Sequence, residues 1–195
     1  MINRMRLLSI AGGILFACSP FAQAQTSILV PDKAHSEVDF TVVHMSLSKV
    51  RGQFGNIGGT IVLDQSDITK SKVDVTIDVT TVNTGVGARD ADLKSAHFFD
   101  VAKYPTATFV STSVARHGDG LTVAGNLTLH GVTKPVILQV DGPTGPVAGM
   151  DKKPHYGFSA TTKISRTAFD IASSFPSAMV GDEVTLTIDL DVAKQ

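Results

Sequence analysis

Three segments of this chain alternate apolar and polar residues with a period of two. Val38, Phe40 and Val42 interleave with Glu37, Asp39 and Thr41. Val73, Val75, Ile77 and Val79 interleave with Asp74, Thr76, Asp78 and Thr80. Val184, Leu186, Ile188, Leu190 and Val192 interleave with Thr185, Thr187, Asp189 and Asp191. Successive side chains of a strand point to opposite sides of a sheet, so each segment has one apolar and one wet face. That pattern belongs to antiparallel sheets with one solvated side. Further strands are expected at about 52–63, 105–115, 119–130, 132–143 and 155–165, separated by Gly118-Asp119-Gly120, His130-Gly131, Gly142-Pro143 and Gly145-Pro146. About eight strands sharing one apolar face can close on themselves, which removes the edges and creates an interior. The expected fold class is all-β, an eight-stranded antiparallel barrel with one short helix near residues 88–97, forming a single domain over residues 25–195.

A membrane-spanning barrel also alternates, but it needs girdles of aromatic residues at both interfaces. This chain has no Trp and only Tyr104 and Tyr156, so its apolar faces are assigned to the inside of a soluble barrel. A formal net charge of -1 argues against nucleic acid, whose binding requires clustered Lys and Arg.

Residues 1–24 read as a cleavable signal peptide. Arg4 and Arg6 precede an apolar stretch from Leu7 to about Phe21, and Ala22-Gln23-Ala24 supplies a small-x-small cleavage site after Ala24. Leu15-Phe16-Ala17-Cys18 is a loose lipoprotein box, with Phe16 too bulky for the usual pattern, so acylation of Cys18 is the weaker alternative. With the leader removed no Cys remains, and disulfides, thiolate metal ligands and Cys nucleophiles are excluded.

No nucleophile elbow, phosphate loop or zinc-protease helix motif occurs. His35, His44, His97, His117, His130 and His155 are scattered, with no pair at tight ligand spacing, so no metal site is expected from the sequence. The most distinctive stretch runs from Arg89 to Asp100. Arg89 and Leu93 share a helix face, and Phe98 and Phe99 follow as large apolar plugs. Two readings stay open here: a helix capping one barrel mouth, or a mouth at which Arg89 and His97 hold the polar head of a ligand. Arg suits phosphate because its planar fork donates two parallel hydrogen bonds.

With Asp32-Lys33-Ala34-His35-Ser36, Phe40-Thr41-Val42-Val43-His44, Gly52-Gln53-Phe54, Arg89-Asp90, Phe98-Phe99-Asp100, Tyr104-Pro105-Thr106-Ala107-Thr108-Phe109, Leu127 through Val136 and Ile164 through Phe169, the chain resembles the YceI-like family of exported bacterial proteins. Ordered matches span nearly the whole chain after the leader. The resemblance implies a lipocalin-like antiparallel barrel with an elongated tunnel, periplasmic location and a polyisoprenoid or other long-chain amphiphile as cargo. It also implies a homodimer and, for some relatives, a link to b-type cytochromes in a quinone-related setting. A quinone would be cargo, and no cofactor is expected. The segment from Gly142 to Lys153 lacks a Trp that some relatives carry, and Ser165-Arg166-Thr167-Ala168 departs slightly from the family wording.

An aliphatic barrel interior suits an alkyl or prenyl chain, whose burial contributes about 0.8 kcal/mol per CH₂. The expected tunnel lining is Phe40, Val42, Phe54, Val75, Ile77, Phe98, Phe99, Phe109 and Phe158, and the expected polar mouth is His35, Arg89, His97 and Arg166. A carrier is the leading reading. A solid barrel acting as an interaction or stress-response module is the alternative. An enzyme on a lipid-like substrate would require His35, Arg89, Asp90 and His97 to converge at one mouth.

Overall fold

The computed structural model describes residues 26–195. The expected leader over residues 1–24, its expected cleavage site and Cys18 lie outside the described residues. Ten strands and one helix follow in the order β1 (Thr26–Pro31), β2 (Glu37–His44), β3 (Ser48–Phe54), β4 (Gly58–Asp64), β5 (Lys72–Asp78), α1 (Gly87–Lys94), β6 (Thr106–His117), β7 (Gly120–Leu129), β8 (Val132–Ala148), β9 (Pro154–Ser165) and β10 (Val180–Lys194). All described strand pairings are antiparallel.

Eight of these strands close into a barrel in the order β1-β4-β5-β6-β7-β8-β9-β10, with β10 returning to β1. The seam is short: Leu29, Val30 and Pro31 pair with Lys194, Ala193 and Val192. β10 is long enough to serve two partners along one edge. Beyond β1, the same edge pairs with β2 from Glu37↔Asp189 to His44↔Val180, and β2 carries β3 as a hairpin. The chain therefore kinks at Asp32–Ser36 where it passes from the closing strand to the hairpin. Ser36 is buried there, and its Oγ donates to the Asp191 carbonyl.

The expected strand over 52–63 is two strands, because the chain turns between Phe54 and Gly58, with Asn56 in the left-handed region at φ 52°. β1 was not among the expected strands. The helix stops at Lys94 instead of continuing to His97. Ser95 is extended, its N–H donates to the Asp92 carbonyl, and its hydroxyl caps the same carbonyl.

The two barrel ends differ. One gathers the β3–β4 turn, α1 and its flanking segments, the β7–β8 turn and the long connection from β9 to β10. Aromatic rings fill it. Phe40 packs on Phe54 and Phe54 edge-on against Phe99, each pair with centroids 5.4 Å apart, while Phe98 stacks on Phe175. Such pairs contribute about 0.5–1.5 kcal/mol beyond their buried area. The other end carries the short turn at Ile68–Lys70 and the β6–β7 and β8–β9 turns.

Candidate functional site: an aliphatic cavity inside the barrel

The alternation seen in the sequence becomes a cavity wall. Val73, Val75 and Ile77 of β5 and Leu186, Ile188 and Leu190 of β10 face it, and β7–β9 each contribute alternate residues, while β6 switches parity between Phe109 and Val114 at a bulge near Ser111–Ser113. The centre of a water molecule can occupy about 120 Å³, and the empty volume between the walls, open solvent at the mouth included, is about 1010 Å³. Among the described residues, the hydroxyl-bearing side chains in the wall are Ser71 and Thr162. Ser71 Oγ accepts from the Asp64 N–H at 3.0 Å, and Thr162 Oγ1 donates to the Ile137 carbonyl at 2.8 Å. Both hydroxyls are thus engaged with backbone, and the surface offered to an occupant is hydrocarbon. A wall of this kind favours an occupant by length and shape, since almost all of it is aliphatic or aromatic carbon.

Of the residues expected to line a tunnel, Val75, Ile77, Phe109 and Phe158 face this cavity. Phe40, Val42, Phe54, Phe98 and Phe99 do not wall it. Phe40 and Phe54 do point inward, but they lie on the hairpin side of the aromatic-filled end, where the Phe40 ring occupies the space over Gly52 and Phe54 meets Phe99. Phe98 is taken up by Phe175. Val42 pairs with Val50 and Val184 nearer the hairpin tip.

The four residues expected at a polar mouth do not converge. Arg166 is 3% exposed, and its guanidinium donates to the carbonyls of Ile171, Ala172, Phe175, Val180 and Gly181. It organises the β9–β10 connection from within. Arg89 donates to Thr84 Oγ1 at 2.7 Å and to the Thr84 carbonyl at 3.0 Å, and the Asp90 carboxylate accepts from the Thr84 N–H and hydroxyl. Both residues therefore fasten the start of α1 to the preceding loop. Exposed His97 pairs with Asp92 at 3.0 Å. His35 lies elsewhere, at the kink, with its Nδ1 3.1 Å from Asp32 Oδ2. The enzyme reading required His35, Arg89, Asp90 and His97 to converge at one mouth; among the described residues Arg89 and Asp90 share Thr84, while His97 is bonded to Asp92 and His35 to Asp32 at the seam kink.

A polar constellation that spacing could not reveal surrounds His35. A shallow groove on the outer face of β8–β10 is lined by His35, Ser159, His155, Asp189 and Asp191 among others. His155 Nδ1 lies 2.6 Å from Asp191 Oδ1 and its Nε2 lies 3.1 Å from Asp151 Oδ1. These bonds, the Asp191 one foremost, raise the His155 pKa. The Ala34 N–H on its carboxylate, and then His35, hold Asp32 below the usual carboxylate range.

Comparison with known proteins agrees with this architecture. A YceI-like domain model matches residues 30–192. The protein YceI of Salmonella newport is 40% identical over 167 residues, covering 83% of each chain. Among solved structures, the Campylobacter jejuni YCEI protein superposes with a TM-score of 0.70 at 31% identity, covering 78% of this chain and 90% of that one. A polyisoprenoid binding domain from Saccharophagus degradans has the same fold, with a TM-score of 0.60 at 16% identity over 87% of this chain and 99% of that one. The chain belongs to the YceI-like family.

Proposed function

We propose that this protein is a non-catalytic periplasmic carrier that holds the hydrocarbon chain of a polyisoprenoid or a comparable long-chain amphiphile inside the barrel. The observation that carries the reading is the aliphatic wall whose two hydroxyls are both engaged with backbone. Such a wall contributes about 0.8 kcal/mol for each CH₂ it removes from water and has no group placed to do chemistry on it. The fold shared with a polyisoprenoid binding domain supports the same cargo class. Export rests on Arg4, Arg6 and the Ala22-Gln23-Ala24 site. A homodimer and a b-type cytochrome partner, both implied by the family resemblance, belong to the same reading.

The test is native mass spectrometry of protein exported with its own leader and purified from the periplasm, followed by organic extraction. The expected result is cleavage after Ala24 and a co-purifying prenyl or acyl species. An apo mass that persists after incubation with prenyl quinones and prenyl phosphates would overturn the carrier and favour a barrel that acts through its surface. The same spectrum reports the dimer directly.

A further inference from the structure

The kink at the barrel seam brings together side chains that are far apart in sequence. Asp32 and His35 come from the β1–β2 turn and Asp191 from β10, and one donor atom of each lies within 4.8 Å of the others. We propose that Asp32, His35 and Asp191 form a surface site for a divalent transition-metal ion of the Zn²⁺ class.

The donor set is mixed: one imidazole and two carboxylates. Two carboxylates supply the charge that matches a divalent cation, and the imidazole favours Zn²⁺ and its neighbours over Ca²⁺ and Mg²⁺, which prefer oxygen alone. Bonds of about 2.0–2.2 Å require donor atoms within about 4 Å of one another. His35 Nδ1 is already 3.1 Å from Asp32 Oδ2, and the donor atoms of all three residues lie within 4.8 Å of one another on side chains that reach solvent, so small rotations bring them to that distance.

The surroundings hold the two carboxylates in place. Asp32 Oδ1 accepts from the Ala34 N–H at 2.8 Å, which leaves Oδ2 turned to His35. The Asp32 N–H donates to the Asp191 carbonyl at 2.8 Å, so the two ligand-bearing backbones are joined directly. Behind Asp191, His155 Nδ1 contacts Oδ1 at 2.6 Å while its Nε2 faces Asp151. The imidazole ring is seated against Gly149, where any side chain would collide with it. His155 is thus a positioning residue, and partners of this outer kind are worth about 10–100-fold in metal affinity.

A metal here would tie the kink to β10 beside a seam of only three residue pairs. Metal binding to the folded chain alone adds to its stability by mass action, so the ion would act as a staple on barrel closure.

The test is isothermal titration of untagged, leader-free protein with ZnCl₂ and separately with CaCl₂, paired with thermal melts. The expected result is one equivalent of Zn²⁺ bound, no saturable Ca²⁺ binding, and a melting temperature raised by about 5–10 °C at a hundredfold excess over Kd. His35→Ala, an exposed change that leaves the fold intact, removes both effects, and His155→Gln weakens binding about tenfold or more. Asp191→Asn repeats the loss, with its metal-free melt as the folding control. No saturable Zn²⁺ binding, or binding undiminished in His35→Ala, overturns the site. Lipid content of the same samples does not bear on the outcome, because the groove is on the outer face.

Discussion

Ser36 and Asp191 exchange two hydrogen bonds across the barrel seam: Ser36 Oγ donates to the Asp191 carbonyl at 3.0 Å and accepts from the Asp191 N–H at 3.2 Å. This single buried hydroxyl serves a strand whose edge changes partner at that point, from β1 to β2. Ser36→Ala leaves the Asp191 N–H without its acceptor. A loss of about 1–3 kcal/mol is expected. Urea denaturation should show a lower midpoint with an unchanged slope.

Arg166 acts on stability and not on a ligand. Its guanidinium gathers carbonyls from a connection in which Asp170 and Ala172 are both left-handed, at φ 56° and 50°. Non-glycine residues hold that conformation only where the surroundings impose it. Arg166→Met removes the imposing group and leaves buried carbonyls unpaired, so a loss above about 3 kcal/mol is expected. Arg166→Lys recovers part of it, since a point ammonium cannot reproduce the fork. Guanidinium melts measure both.

Ala160 is the small residue in the cavity wall, between Phe158 and Thr162 on β9. Ala160→Phe fills space that a hydrocarbon chain would take. Prenyl-lipid uptake measured by native mass spectrometry should fall about tenfold or more, the equivalent of roughly two lost CH₂ burials. Ile137→Phe adds the same ring to the outer face, where Ile137 is exposed, and should leave uptake unchanged.

Acid should loosen the β9–β10 connection. Asp182 accepts from the Thr167 hydroxyl at 2.6 Å and the Thr167 N–H at 3.1 Å, and these bonds, the hydroxyl's first, lower its pKa below 3.8. A carboxylate lowered on folding contributes stability that is fully present above its unfolded pKa and is lost as pH falls through its folded value. Asp182→Asn should therefore be less stable than the parent at pH 7, and the gap should shrink to nothing as pH drops below 3.8 and through the folded pKa. Denaturation midpoints across that range check the sign.

The strands were legible where the apolar face is the inward one. β5 and β10 show their parity in sequence, and the same parity walls the cavity. β1 escaped because its pattern is inverted at two neighbouring positions: Ser27 is buried at 1% exposure while Ile28 is 48% exposed. The split between β3 and β4 was signalled by Gly55-Asn56 and Gly58-Gly59, but the apolar Ile57 between them continues the alternation and reads as strand.

Residue order by itself determined the all-β class, the closed sheet and an aliphatic interior, because a period of two assigns every side chain to one of two faces. Only the tertiary structure decided position along the barrel axis. Phe40 and Phe109 both point inward, yet Phe40 seals one end and Phe109 walls the cavity. The fold alone likewise set His35 beside Asp191, since pairing along β10 joins the two ends of the chain at a seam that no local spacing records.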